Sequence, residues 1–451
     1  MLIDVINFIF VYFVAGFILS LFIRLVAKKA FDNKLTFLLG YGIAPLLISL
    51  ILYYLYSFFP SKEWIFYALV IYILFVIFFI SSIKETRNIQ FQKILGKIKN
   101  LSKKVFRLDV FKKVLLFFIL FVIIFTITRN ISYPTIYTDA VEYLKQGFVY
   151  SQDHSHKKLL EKETFSNFSK NNPLYGPEEE FQMNKAIRPA LPIFYSFFYK
   201  NENPSSFNFF SINFLYSYYF LLLVVAFTYI VNRLNPKNVL LGLTFLLSCY
   251  FLTKLSYSNY KAIITAFLSL GSLFLLYKII KDKTFAPAIF LGILCGLMSY
   301  INYTGLVISG ILFLIGVFAL KTNLKQKILT VLIILTTFVL FSGGEIKQYQ
   351  GFIFKKSFLS SENRDTTYSS EEYINRLEIE GRKNDANFKI YTLVTKKLQA
   401  FTQIQFFGFI FWLFLAILIL SITKKESLTN YQGLIYLLFS FSFSYFSIRF
   451  F

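Results

Sequence analysis

The sequence predicts an all-α polytopic membrane protein with about 12 transmembrane helices and two large extracytoplasmic loops. Hydrophobic residues make up 56% of the chain and charged residues only 16%, whereas soluble proteins carry about 25% charged residues. The third observation is a series of apolar runs, because a helix needs roughly 20 apolar residues to cross the hydrocarbon of a bilayer. The runs lie at 2–26, 36–58, 64–83, 113–128, 207–231, 238–253, 262–280, 287–320, 328–342, 405–421 and 430–447.

Two of these runs need comment. The first, 2–26, is too long for the apolar part of a cleavable signal peptide, and no small-residue cleavage site follows it, so it predicts a retained helix. The run 287–320 is interrupted by the polar segment 302–305 and predicts two helices joined by a tight turn. Cys249 and Cys295 both lie inside apolar runs, which indicates small packing residues and no disulfide framework.

The distribution of charge predicts the topology. The formal net charge is +23, but the basic residues concentrate in connectors between apolar runs. The sequence has no basic stripe interleaved with stacking aromatics, so a nucleic-acid partner is not predicted. The Lys-rich segment 84–113 is therefore placed in the cytoplasm, where its interleaved apolar residues predict an amphipathic helix on anionic lipid. Alternating spans put four further basic connectors on the same side: 232–237, 281–286, 321–327 and 423–427. Both termini and both long loops then lie outside.

This reading divides the chain into consecutive parts. They are an N-terminal three-helix segment (1–83), a cytoplasmic basic connector (84–112), a transmembrane core (113–342) that includes the first outer loop (129–206), a second outer loop (343–404) and C-terminal helices (405–451). Loops of this length are usually functional or disordered. No transporter-type internal repeat relates the two halves, which disfavours a secondary transporter.

Acidic residues follow the run 113–128 at the predicted water boundary. Asp139, Glu142 and Tyr143 would share one face of a helix, because their spacing is i, i+3 and i+4. One interpretation is structural: Thr138 caps the helix, and the two carboxylates are favoured in its first turn. The other is functional: Asp139 is a general base that deprotonates an acceptor hydroxyl beside the bilayer.

Further along the same loop, Pro189 and Pro192 flank small apolar residues and predict a short rigid element that returns to the membrane. Arg188 precedes this element. It would either pair in a bidentate manner with a phosphate or extend toward lipid headgroups as an interfacial side chain.

Other polar segments give weaker signals. His154 and His156 lie beside Asp153, but two histidines and one aspartate are a weak metal motif, and no metal is indicated. The second loop, 343–404, mixes Arg and Glu and predicts a salt-bridged surface, with a lid or an acceptor-recognition surface as the alternative.

Four stretches occur in a characteristic order: an acidic motif after a membrane helix, a Pro-rich return, a Gly-rich helix pair with a polar break, and a late helix with a basic end. They are 138–144, 188–192, 291–306 and 439–449. In this order and sidedness they resemble the GT-C superfamily of polyprenyl-phosphate-sugar-dependent glycosyltransferases. The similar branch is that of protein O-mannosyltransferases and lipid A aminoarabinose transferases, and the resemblance covers about residues 113–451.

The resemblance implies a lipid-linked sugar donor that enters laterally from the membrane and an inverting attack at its anomeric carbon. The implied catalytic residues are Asp139 and Glu142, and the implied substrate-binding residues are Tyr143, Arg188, Lys261 and Arg449. The cations among them would neutralise the departing phosphate. The implied partners are a polyprenyl-phosphate-linked sugar, a glycan, lipid or protein acceptor, and membrane lipids, in the bacterial inner (plasma) membrane with the loops periplasmic or extracellular.

Two departures from the family pattern matter. Family members often carry a second acidic residue in the next outer loop, but residues 254–261 contain no carboxylate. This weakens a metal-bridged mechanism, so a divalent metal is not indicated and no cofactor is certain. The sequence ends soon after Arg449, where related sequences continue, which predicts a short member, a fragment or an inactive relative.

Two other functions remain open. An O-antigen-type polymerase or ligase is favoured by the Arg residues of loop 343–404. A non-enzymatic lipid or solute transporter would be expected to hold charged residues in mid-membrane, and the apolar runs contain almost none. The sequence has no Walker-type loop, which argues against direct use of ATP or a nucleotide sugar.

Overall fold

A computed structural model describes the greater part of the chain before residue 344. The described residues are 2–28, 30–59, 64–83, 110–132, 143, 147, 150–151, 189–198, 209–234, 236, 239–248, 261–282, 284–319 and 323–343. Each predicted apolar run from 2–26 to 328–342 contains a helix, and no strand occurs among these residues. The predicted runs 405–421 and 430–447, the second outer loop from residue 344 onward and residues 84–109 of the basic connector lie outside them.

The helices are numbered here in chain order. They are α1 (Leu2–Ile9), joined by a π-helical turn (Phe10–Val14) to α2 (Ala15–Ala27), then α3 (Asn33–Phe58), α4 (Trp64–Ser81), α5 (Val110–Ser132), α6 (Ala190–Ser196), α7 (Phe209–Leu234), α8 (Val239–Ser248), α9 (Ala262–Asp282), α10 (Ala286–Ile301), α11 (Tyr303–Ala319) and α12 (Leu324–Phe341). Within this part of the chain six helices are long and apolar enough to cross a membrane: Asp4–Ala27, Asn33–Phe58, Lys112–Asn130, Phe210–Leu234, Ala262–Asp282 and Leu324–Phe341.

Short polar side chains start two of these helices. The Asp32 carboxylate accepts a hydrogen bond from the backbone N–H of Leu35 at 2.9 Å and caps α3. The Asn323 side chain accepts in the same way from the N–H of Gln326 and caps α12. Each cap satisfies a backbone donor that the first helical turn cannot pair internally.

The predicted break inside 287–320 is confirmed. Asn302 has an extended backbone (φ −149°, ψ 140°) between α10 and α11, and its carbonyl accepts from the N–H of Gly305 at 2.9 Å. A Cβ atom at Gly305 would clash with the carbonyl oxygen of Met298. The two helices can therefore turn this tightly only with glycine at this position.

Helix α10 is the packing centre of the described bundle, with α9, α11 and α12 around it. Gly292 and Gly296 are one turn apart on α10, the small-xxx-small spacing that lets membrane helices approach closely. A Cβ at Gly296 would lie 2.7 Å from the carbonyl oxygen of Phe338, and one at Gly292 would lie 2.5 Å from that of Ile334. The backbones of α10 and α12 are therefore in direct contact.

The helices differ in how much of their surface the protein covers. In α3, 78% of the apolar span is buried, whereas only 11% of the α12 span and 17% of the α5 span are buried. Large apolar side chains such as Phe117 and Leu332 are exposed on these last two helices. Exposed apolar surface of this extent is expected where a helix faces lipid.

An ion pair at one end of the bundle joins the start of α3 to the last turn of α7. The Arg233 guanidinium donates to the Asp32 carboxylate, and the Tyr229 hydroxyl donates to the same oxygen at 3.0 Å. Burial alone would raise the pKa of Asp32, but the hydrogen bonds from the Leu35 N–H, Arg233 and Tyr229 and the Arg233 charge together lower it below its usual value. The pair joins residues flanking two connectors that the charge pattern places on the same side.

We expect Arg233→Gln to lower the stability of the folded protein by about 0.2–1 kcal/mol, because both charges are partly exposed and screened. Since the pKa of Asp32 is lowered, the stabilisation by this ion pair is fully present above about pH 4, the usual aspartate pKa, and is lost as the pH falls below it. The variant should therefore show a flatter pH dependence there. Thermal unfolding of purified protein in detergent micelles against pH measures both effects.

Lys278→Gln is the matched control for this prediction. It removes an ion pair with Asp282 at 2.7 Å that lies within a single helix, so it ties no two elements together and should change stability less. An equal loss in both variants would contradict a bridging role for Arg233.

Candidate functional site

Helix α6 is the centre of the candidate site, and it is the short element that Pro189 and Pro192 predict. All seven of its residues are buried. Its first turn forms with the N–H of Ile193 donating to the carbonyl of Pro189 at 2.9 Å. A helix this short is not stable alone, so the contacts around it decide where it lies.

One side of α6 meets hydroxyl groups from α3 and α10. The Ser49 hydroxyl donates to the carbonyl oxygen of Ala190 at 2.5 Å and lies 3.1 Å from the Tyr300 hydroxyl. At the other end of α6, the hydroxyls of Tyr56 and Ser196 are 2.8 Å apart. These five residues are all buried, so α6 is held at both ends by hydrogen bonds in a dry environment, where such bonds are strong.

The other side of α6 meets a tyrosine cluster. The Tyr195 hydroxyl shares a short hydrogen bond with that of Tyr216 on α7, and the Tyr12 hydroxyl donates to the carbonyl of Ser211 at 2.6 Å. Tyr143, from the first outer loop, is buried and lies near Tyr195. The cluster thus connects the loop, α6, α7 and the N-terminal helix.

Two of the residues implied as substrate-binding come together here. The Lys261 ammonium lies 5.6 Å from the centre of the Tyr143 ring, within cation–π range. Tyr143 is 2% exposed, and Lys261 is partly exposed directly before the first residue of α9. Tyr143 is therefore the buried member of this pair, and Lys261 is the partly exposed member.

Helix α5 leads into the loop that carries Asp139. Near its end, the Asn130 side-chain amide donates to the carbonyl of Asn213 at 2.8 Å and to the Ser217 hydroxyl at 2.7 Å. Asn130 is fully buried in a helix whose other face is exposed and apolar. These two bonds fix the rotation and height of α5 against α7, and with them the starting point of the loop.

The remaining predicted site residues are not described by the structure. They are Asp139, Glu142, Arg188 and Arg449, together with the weak metal candidates Asp153, His154 and His156. Among the residues that are described, no group of three or more His, Cys, Asp or Glu side chains could hold a metal ion. Cys295 is a buried free thiol within α10, in the packing position expected for it, and Cys249 lies outside the described part of the chain.

Sequence reasoning did not select the hydroxyl groups around α6. Ser49 and Tyr56 lie inside a predicted span, and Tyr300 lies just before the predicted break. The available signal was a polar side chain within an apolar run, which in a membrane helix commonly marks a helix–helix contact. That signal alone does not identify the partner helix.

Every element in the described part of the chain is helical, and its long apolar helices with exposed apolar faces indicate the class of integral membrane proteins. Buried hydroxyl groups from α3 and α7 contact the short helix α6. No protein-family model, curated protein or solved structure matches the chain.

Proposed function

We propose that the protein is a membrane glycosyltransferase that moves a sugar from a polyprenyl-phosphate donor to an extracytoplasmic glycan, lipid or protein acceptor. The observation that carries this proposal is the pairing of Lys261 with Tyr143. These residues come from two separate segments that the predicted topology puts outside the cytoplasm, and the family resemblance assigns substrate binding to both.

The electrostatics of this pair favour an anion. Lys261 stands at the N-terminal end of α9, a helix of 21 residues, where the helix dipole disfavours a cation and favours a negative group. An anionic ligand would therefore interact favourably with both the ammonium and the helix end. The phosphate of a lipid-linked donor has this charge.

The proposed reaction is a single inverting displacement. Asp139 accepts the proton of the acceptor hydroxyl, and the acceptor oxygen forms a bond to the anomeric carbon of the donor sugar. The bond from that carbon to the phosphate oxygen breaks at the same time, and the electron pair leaves with polyprenyl phosphate. Lys261, Arg188 and Arg449 neutralise the negative charge of the leaving group.

We expect Lys261→Met to reduce transfer by about 10- to 100-fold, mainly through a higher KM for the donor, because a hydrogen-bonded charge is lost from its phosphate. Tyr143→Phe keeps the ring over the ammonium and should retain most activity, whereas Tyr143→Leu should not. Lys278→Met, at the other end of α9, is the matched control and should behave as wild type. Equal KM values for Lys261→Met and Lys278→Met would contradict donor binding by Lys261.

The function is tested with membranes that contain the full chain and a radiolabelled pool of polyprenyl-phosphate sugars. The expected result is a new glycosidic product together with release of polyprenyl phosphate. Movement of the labelled lipid between leaflets with no new glycosidic bond would overturn the proposal in favour of transport. Absence of both product and movement would also overturn it.

A further inference from the structure

Helix α3 contains a proline in its interior. Pro45 is buried within this helix of 26 residues. Because proline has no N–H, it cannot donate the helical hydrogen bond to the carbonyl of Tyr41, four residues earlier, and its ring presses against that carbonyl. Gly40 and Gly42 flank Tyr41, and glycine weakens a helix interior further. The segment 40–45 is therefore the point at which α3 bends most easily.

Two tyrosines of α7 bind the carbonyls at this point. The Tyr218 hydroxyl donates to the carbonyl oxygen of Tyr41 at 2.9 Å, and the Tyr219 hydroxyl donates to that of Gly42 at 2.8 Å. Both tyrosines are buried, so these bonds form away from water, where an unpaired carbonyl is costly. The acceptor that Pro45 leaves without a helical donor is thus paired by a neighbouring helix, which is how membrane helices tolerate proline.

The two halves of α3 have different neighbours. Before the proline, the backbone of α3 touches that of α2, since a Cβ atom at Gly40 would lie 2.5 Å from the backbone nitrogen of Ser20. After the proline, Ser49 and Tyr56 bind the two ends of α6. A bend between the halves therefore moves the part of α3 that holds α6, while the part that packs on α2 stays in place.

We propose that the segment 40–45 is a hinge in α3, and that the hydroxyls of Tyr218 and Tyr219 form a latch that holds this hinge at one angle. With the latch formed, the second half of α3 keeps a fixed direction relative to α7. Release of the two bonds frees that half to change its angle, and with it the contacts of Ser49 and Tyr56 that hold α6. The device belongs to the fold and does not depend on sugar transfer.

The first test compares Tyr218→Phe in the wild-type chain and in Pro45→Ala, by thermal unfolding of the full chain in detergent micelles. In the wild type the change leaves the Tyr41 carbonyl buried without a donor, and we expect the midpoint to fall by about 2 °C. Alanine at position 45 supplies the missing N–H, so in Pro45→Ala the fall should be about half of that or less. Equal falls in both backgrounds would overturn the link between the proline and the latch.

Tyr12→Phe is the matched control for this comparison. The buried Tyr12 hydroxyl also donates to a backbone carbonyl of another helix, that of Ser211 at 2.6 Å. Four residues after Ser211 stands Leu215, which keeps its N–H. Tyr12→Phe should therefore lower the midpoint equally in the wild type and in Pro45→Ala. A fall that shrinks as much as that of Tyr218→Phe would also overturn the proposal, because Pro45→Ala would then act on the whole bundle.

The second test measures the hinge as the distance between spin labels at Phe58→Cys and Phe210→Cys, in a full chain whose two native cysteines are replaced by alanine. Both phenylalanines are exposed, one at the end of α3 and the other at the start of α7. About 20 Å of helix separates Pro45 from Phe58, so a change of about 15° at the hinge moves Phe58 by about 5 Å. We expect one narrow distance distribution for the wild type, and a distribution broadened or shifted by about 5 Å for Tyr218→Phe/Tyr219→Phe.

Further variants separate a hinge from a general loosening of the bundle. Adding Pro45→Ala to the tyrosine pair should narrow the distribution again, because an unbroken series of helical hydrogen bonds stiffens α3. Tyr12→Phe alone should leave it narrow. An unchanged distribution in Tyr218→Phe/Tyr219→Phe would overturn the hinge and show a fixed bend, and a broad distribution that persists with Pro45→Ala would overturn it as well. If the tyrosine pair does not fold, Tyr218→Phe alone gives the same comparison.

Discussion

Asp139→Asn is expected to lower sugar transfer by about 100- to 10,000-fold, the range found when a general base is removed. Asparagine has the same shape as aspartate but cannot accept the proton of the acceptor hydroxyl. Donor binding should change little, because the donor phosphate is assigned to cationic residues. The loss should therefore appear in kcat, measured by transfer from radiolabelled polyprenyl-phosphate sugar at equal protein level in membranes.

This variant also separates the two interpretations of the acidic motif. If Asp139 only stabilises the first turn of a helix capped by Thr138, its replacement costs about 0.3–1 kcal/mol of stability and leaves transfer intact. Glu142→Gln is the matched comparison, because the sequence predicts Glu142 in the same helix, and this change should cost less activity than Asp139→Asn. Transfer by Asp139→Asn equal to that of wild type would refute the catalytic assignment.

Gly296→Ala is expected to destabilise the protein by about 1–3 kcal/mol, the usual range for an overpacked core. The added Cβ would lie 2.7 Å from the Phe338 carbonyl oxygen and 2.9 Å from the Phe341 Cβ, so α10 and α12 must move apart. Separation of these helices would also displace Tyr300, which lies one turn further along α10. The measurement is the thermal unfolding midpoint of the purified protein in micelles.

Gly310→Ala on α11 is the control for this effect. A Cβ at Gly310 meets no atom within 4 Å, so the change should be neutral or stabilise the protein by up to about 1 kcal/mol through helix propensity. The two glycines carry the same chemical change in neighbouring helices and differ only in the space around them. Equal midpoints for both variants would show that α10 and α12 do not pack as closely as described.

The sequence predicted the helices because the signal for each is local. A run such as 262–280 is apolar over the length of a bilayer whatever surrounds it, and α9 occupies it. The polar segment 302–305 interrupts a long run, and the chain breaks at Asn302. Pro189 and Pro192 marked a short separate element, and α6 begins at Ala190. The total of about 12 spans and the GT-C-like fold stay predictions.

The site was predicted less completely, because its contacts join distant parts of the chain. The sequence selected Tyr143 and Lys261 separately, and the structure shows that the ammonium of one lies over the ring of the other. Ser49 gave no signal of its own, since a serine in an apolar run is unremarkable until its partner is known. Asp139, Glu142, Arg188 and Arg449 stay predictions, because they lie outside the described residues.

The sequence by itself determined the class of this protein. Apolar length, a low share of charged residues and basic connectors follow from the free energy of transfer into a bilayer, which each segment meets independently. Only the tertiary structure decided which helices meet and which polar groups they share. The contacts of Gly296 with Phe338 and of Ser49 with Ala190 depend on close packing between helices. Because these helices are about equally apolar, hydrophobicity alone cannot determine which of them become partners.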